Sequence, residues 1–164
     1  MQNTLPAPIN EKIKTRRLEL KLSEAAAAHQ ARLSIYEYGD IECYADEVFT
    51  SVPLYHVKKI CTSLKIDFLA FLEIPCAFCS DKKDHSDDYW LRRNSLIKKR
   101  REIIGLSPED LGNKVGFNSK EVDLIETYTA HLESWAIEKI FELAAQIQIP
   151  PQVLLDVQCQ TCGR

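Results

Sequence analysis

The chain has 164 residues, a formal net charge of −3 and 45% hydrophobic residues, enough for one compact domain or two small ones. No apolar run reaches spanning length, and the opening Met1-Gln2-Asn3-Thr4 leads through Pro6 and Pro8 into a charged stretch that does not read as a signal peptide. The negative balance argues against indiscriminate nucleic-acid binding, and six cysteines without a secretion signal favour a reducing cytoplasm over a disulfide framework.

Glycine and proline are scarce and no alternating β-branched run occurs, so the chain is expected to be nearly all helix. A first helix is expected at about 9–21, and a second begins after the cap Ser23. A short turn at Ala31-Arg32-Leu33 precedes Ser34, the cap of a third. The fourth carries Leu54, Val57, Cys61 and Leu64 on one face, and the fifth starts at Asp67. Then come Phe71-Leu72-Glu73-Ile74 and the pair Cys76-Ala-Phe-Cys79. The acids of Ser80-Asp-Lys-Lys-Asp-His-Ser-Asp-Asp88 could suggest a calcium loop, but the Gly and closing Glu of that motif are missing, and a solvated linker is expected.

The series then runs again. A helix is expected at about 93–104, and Ser107 caps the next, with Pro108 as its first residue. Val115-Gly116-Phe117 makes the turn and Asn118 caps the third helix; Ile137, Ile140 and Ala144 line the fourth, and Pro150-Pro151 opens the fifth. Leu154-Leu155-Asp156-Val157 then leads into Cys159-Gln-Thr-Cys162. Leu22-Ser23 aligns with Leu106-Ser107 at an offset of 84, as do Arg16-Arg17 with Arg100-Arg101 and Ile41-Glu42 with Ile125-Glu126. The cysteine pairs stand 83 apart, so one residue is lost in the middle of the second copy. This gives an all-α chain with a first repeat at 1–79, a linker at 80–88 and a second repeat at 89–164, each of about five helices.

Each repeat ends in half of a four-thiolate site. Zinc favours four soft ligands in a tetrahedron, and a CxxC turn supplies two, so Cys76, Cys79, Cys159 and Cys162 are the expected ligands of one structural zinc; another thiophilic ion would take the same set. Gly163 leaves the backbone free to point amides at the sulfurs, a place held by Ser80 in the first pair. Two bland readings stand beside this one: a redox CxxC, which normally opens a helix in a βαβ setting absent here, and two unpaired thiol pairs. The histidines His29, His56, His85 and His131 are scattered, and a four-cysteine zinc leaves no open coordination position, so no enzyme is expected.

The stretch Leu106-Ser-Pro-Glu-Asp-Leu-Gly-Asn-Lys-Val-Gly-Phe-Asn-Ser-Lys-Glu-Val-Asp-Leu-Ile-Glu126 resembles the helix-turn-helix of the lambda-repressor/Cro-like (XRE) family. The run Leu22 to Ile41-Glu42 resembles it more weakly, with Ala27 for the inner Leu and Arg32 where Gly116 stands. The resemblance implies two tandem lambda-repressor-like subdomains, with the third helix of each in the DNA major groove. The cysteine pairs are outside the usual family pattern.

Charge runs against that implication. Residues 23–42 and 107–126 each sum to −3, whereas the first helices, 11–21 and 95–105, each sum to +3. Acids on a base-reading helix repel phosphates, and no Arg or Gln is placed there for bidentate base contact. The candidate partner-binding residues are therefore Tyr36, Glu37 and Asp40 in the first repeat and Asn118, Ser119, Lys120, Glu121 and Asp123 in the second. Two functions fit. One is a non-enzymatic binding protein of the immunity-protein or antitoxin kind, capturing a basic partner such as a nuclease toxin. The other is a transcriptional regulator whose tandem repeats mimic a dimer on a duplex operator.

Overall fold

The computed structural model of the chain describes residues 8–80 and 91–163. Apart from Ser80, the linker expected at 80–88 lies outside the described residues, as does His85.

Local signals set the first half. Helix α1 (Ile9–Glu19) turns Ile13 and Arg17 inward. The Ser23 hydroxyl accepts a hydrogen bond from the Ala26 amide and opens α2 (Glu24–Ala31). That helix ends at Arg32, held left-handed at φ 59°, as the turn requires. Ser34 opens α3 (Ile35–Cys43) through a reciprocal capping box with Glu37. A single turn, α4 (Glu47–Thr50), precedes α5 (Leu54–Leu64), which buries Leu54, Val57, Ile60, Cys61 and Leu64 along one face. Asp67 caps α6 (Phe68–Phe71), and α7 (Ala77–Ser80) closes the half.

The second half repeats this order in α8 (Arg93–Ile103), α9 (Pro108–Val115), α10 (Ser119–Thr127), a 3-10 helix (Thr129–Ser134), α11 (Ile137–Gln146) and α12 (Pro151–Leu155). Ser107 and Asn118 cap α9 and α10 as expected. Val48 and Leu132 are buried equivalents at an offset of 84, and Val52 and Trp135 at 83, so the lost residue falls between them. The first half turns that corner with the α-turn α4, and the second with the tighter 3-10 winding. The described residues form no strand.

Each half carries the same buried ion pair. Arg17 Nε and Nη2 donate to the two Glu42 carboxylate oxygens at 2.6 and 2.8 Å, and Arg17 Nη1 donates to the Leu22 carbonyl at 2.9 Å. Arg101 binds Glu126 and the Leu106 carbonyl in the same bidentate way. Such a pair is safe in a core only when the fork fills every lone pair that burial strips of water.

A single apolar core runs through both halves, from Ile13 and Tyr38 to Leu154 and Leu155. Besides the cysteine cluster, the halves meet where α4 packs on α11 and where the 3-10 helix packs on α5. Phe49 meets Phe141 edge-on, with ring centroids 6.5 Å apart, and Lys58 Nζ donates to Glu133 at 2.8 Å. Pro53 bridges its own equivalent, Ala136, and the Leu54 amide donates to the Trp135 carbonyl at 2.8 Å. When a residue meets its own equivalent and each contact recurs with its members exchanged, the pattern is that of a two-fold interface. The halves are thus docked by packing as well as by their cysteines.

Candidate metal centre

Two helix ends aim the cysteines. After α6 the chain turns left-handed at Glu73 (φ 57°), and the Ile74 amide donates back to the Leu69 carbonyl at 2.9 Å. After α12 it turns the same way at Asp156 (φ 53°). These αL exits stop each helix within a turn of its CxxC. The first pair then enters α7, whose Ala77 amide donates to Gln152 Oε1 at 2.7 Å, while the Gln152 amide group donates to the Val157 carbonyl at 3.5 Å. Gln152 is 2% exposed and ties one CxxC to the approach of the other. Sequence reading did not single it out; the available signal was a lone amide side chain inside the apolar run Pro151–Leu155.

All four sulfurs lie within 4.8 Å of one another. The pairs that cross between halves are close: Cys76 Sγ to Cys162 Sγ is 3.7 Å, and Cys79 Sγ to Cys159 Sγ is 3.8 Å. These are far above the roughly 2.05 Å of a disulfide. They equal the edge of about 3.8 Å for a sulfur tetrahedron with metal–sulfur bonds near 2.3 Å. The donor set therefore fits a tetrahedral thiophilic metal. Because Cys76 is equivalent to Cys159, and Cys79 to Cys162, the exchanged pairing puts the cluster on the same approximate two-fold as Pro53 and Ala136.

The electrostatics suit a cation. The Cys159 thiol is lowered to about 6, first by the backbone amide of Cys162 and then by that of Thr161, which donates to its sulfur at 3.4 Å. Gly163 takes φ 73° and donates its amide to the Cys159 carbonyl at 2.8 Å, closing a turn in which the amides of Thr161 and Cys162, rather than its own, reach the sulfur. Cys79 is pushed up to about 12, because its proton is shared with Cys162, Cys76 and Cys159. One sulfur is thus prepared as a thiolate, and Cys79 holds a proton that a divalent ion would displace. Cys159 is buried, whereas Cys79 and Cys162 are exposed. Cys61 lies in the core away from this cluster, its thiol pushed up to about 12 by burial, and Cys43 is at the surface.

The candidate partner-binding residues stand on α3 and α10, but not as one uniformly acidic face. Tyr36 is 83% exposed, beside Ile35 at 47% and exposed Asp40. Glu37 is consumed by its capping box with Ser34, which holds its carboxyl below the ordinary value. On the second side Asn118 spends its side-chain oxygen on the Glu121 amide, and half-buried Glu121 meets His131 Nε2 at 2.8 Å. Ser119 is half-buried, while Lys120 and Asp123 are exposed. Among the acids counted in the two stretches, Glu42 and Glu126 are buried on arginines, and Asp110 caps α9. The outward negative charge of each stretch is therefore smaller than its residue count. No helix among the described residues is long and apolar enough to cross a membrane. No family model, curated protein or solved structure matches the chain.

Proposed function

We propose that this chain is a non-enzymatic binding protein: a duplicated lambda-repressor/Cro-like helix-turn-helix scaffold, locked by one structural zinc on Cys76, Cys79, Cys159 and Cys162, that captures a basic protein partner. The observation that carries this reading is α3. Its sequence, Ile35-Tyr-Glu-Tyr-Gly-Asp-Ile-Glu-Cys43, holds no Lys, Arg, His, Asn or Gln, and its exposed start offers Tyr36 and Ile35 beside Asp40. A helix so composed has nothing to neutralise phosphates and no amide or guanidinium for base edges. Exposed aromatic rings beside a carboxylate instead suit arginine and lysine side chains, through cation–π contact and charge. An immunity protein or antitoxin that covers the basic cleft of a nuclease toxin has this chemistry.

The test uses Tyr36→Ala and Asp40→Lys, both at exposed sites that should leave the melting temperature unchanged. Titrated against a panel of basic nuclease domains, the wild type should bind one of them tightly enough to inhibit it, and both variants should lose that binding. A wild type that inhibits none but binds a duplex from its own upstream region overturns the proposal.

The regulator reading rests on α10, where exposed Lys120 adjoins Ser119, and on the exposed lysines Lys14 and Lys98 of α1 and α8. In a gel shift it predicts competitor-resistant binding weakened by Lys120→Ala and a steep salt dependence.

A further inference from the structure

The two-fold contact between the halves is filled by different chemistry on its two sides. Phe49 is equivalent to Glu133, Lys58 to Phe141, and Ile9 to Arg93. On one side Phe49 packs on Phe141, and Ile9 is packed against the same core. On the other, Glu133 accepts from Lys58 Nζ at 2.8 Å and from Arg93 Nη2 at 2.7 Å, with all three side chains no more than 24% exposed. Arg93 also donates to the Leu154 carbonyl at 3.0 Å. Burial lowers the Lys58 ammonium, and Glu133 opposes that shift. The first half therefore presents Ile, Phe and Lys at these three positions, and the second presents Arg, Glu and Phe.

We propose that these six residues form a pairing code that lets the first half dock only on a second half. Two first halves facing each other would set Phe49 against Lys58 twice. Two second halves would set Glu133 against Phe141 twice. The first arrangement strips Lys58 of water without its counter-ion, and the second sets Glu133 against a ring with only its own half's Arg93 to balance it. The matched pairing gives both charges their full set of partners. An interface with the same residues on both sides would accept either copy, so a duplicated chain needs such an asymmetry to stay monomeric. The same device fixes which helix-turn-helix face lies on which side of the cysteine cluster. It leaves one acidic-aromatic α3 face per chain. Whether that face binds a protein is a separate matter.

The code is tested in the full chain by inverting it. One variant gives the first half the second half's residues (Ile9→Arg, Phe49→Glu, Lys58→Phe). Another gives the second half the first half's residues (Arg93→Ile, Glu133→Phe, Phe141→Lys). A third carries all six changes. Each half-inverted protein should melt about 5–10 °C below wild type, and the six-fold variant, matched again with its sides exchanged, should return to within about 3 °C. Light scattering should find the wild type and the six-fold variant monomeric. An equimolar mixture of the two half-inverted proteins should give a one-to-one complex, because each then carries the surface the other lacks. A six-fold variant that melts no higher than the worse half-inversion overturns the code. Should the six-fold variant fail to fold, the mixture decides, and the lack of a mixed complex overturns it equally.

Discussion

The first half and the second build the same corner from unequal materials. After its second helix, the first half bends through Arg32 at φ 59°, and the second bends through Gly116 at φ 77°. Where α2 carries Ala28, α9 carries Gly112, and a methyl built there would stand 2.7 Å from the Phe117 carbonyl oxygen. Yet the arginine–glutamate pair, the caps and the left-handed exits recur in both. Elements that hold a fold together persist in both copies, whereas outward faces have gone separate ways. The features shared by both copies therefore read as structural.

The largest expected effect comes from the centre where the halves meet. Purified protein should carry about one zinc per chain, measured by elemental analysis, since four cysteines close a structural site. Cys159→Ala should abolish binding and lower the melting temperature by roughly 10 °C or more, because a structural metal contributes its binding energy to folding. The equivalent Cys76→Ala should cost less, since Cys76 is only half-buried whereas Cys159 is buried and receives the Thr161 amide. Equal losses would show the site to be more symmetric than its surroundings. Metal-free protein of undiminished stability would sink the zinc reading.

Next come the buried pairs, whose bidentate geometry is shared. Glu42→Gln and Glu126→Gln each leave a buried guanidinium short of its counter-charge, at a cost of about 3–5 kcal/mol. Denaturant melts should find the two losses within about 1 kcal/mol of each other, since both partners are at most 9% exposed in each half. A much smaller loss in one half would show that only the other is braced through this pair.

The caps, the turns and the gathering of the four cysteines were legible in the sequence because each is local or marked by an uncommon residue. Ser34 reaches Glu37, and Asn118 reaches Glu121, across three residues, so their pattern can be read directly. The docking surface between the halves could not be read this way. Lys58 meets Glu133 across 75 residues, and neither residue type announces that partner. Charge counting overstates the outward acids of the α3 and α10 stretches for a related reason. It scores Glu42, Glu121 and Glu126 as outward acids, whereas folding buries Glu42 and Glu126 on arginines and sets half-buried Glu121 on His131. The residue lost in the second half showed as a change of offset, but only the 3-10 winding shows how the corner absorbs it.

A smaller effect separates the two turns. A non-glycine residue in the left-handed region costs about 1 kcal/mol, so Arg32→Gly should raise the melting temperature by roughly 2–4 °C. Gly116→Ala should lower it by a similar amount through backbone conformation alone, as its added methyl would meet only Lys139 Nζ, at 3.7 Å. Gly112→Ala should cost more, because the Phe117 carbonyl stands in the way. An Arg32→Gly variant no more stable than wild type would mean that the exposed arginine compensates its own strained backbone.

The smallest effect is also the one that depends on pH. The Glu37 and Asp110 carboxyls lie below their ordinary values of 4.5 and 3.8: Glu37 chiefly through the Ser34 backbone amide, and Asp110 chiefly through the Ser107 hydroxyl. A carboxyl that is a stronger acid when folded stabilises the fold above its unfolded value and loses that contribution as pH falls through the folded one. Both caps should therefore act in full at neutral pH and fade as pH drops from about 4.5 through the depressed folded values. Ser34→Ala removes the hydroxyl that accepts from the Glu37 amide, and Ser107→Ala removes a hydroxyl that also donates to the Asp110 carboxylate, so each should melt about 2–4 °C lower at pH 7. At Ser107 the gap from wild type should shrink through that acid window, because the mutation deletes the hydroxyl that chiefly lowers Asp110. At Ser34 it should shrink less, because the backbone amide that chiefly lowers Glu37 survives the change. A Ser107→Ala gap that stays constant from pH 7 to pH 3 would assign the stabilisation to the serine hydroxyl alone and leave the Asp110 carboxylate as an ordinary surface charge. A gap that closes equally at both serines would show that the two hydroxyls hold their carboxylates alike, against the different chief causes at Glu37 and Asp110.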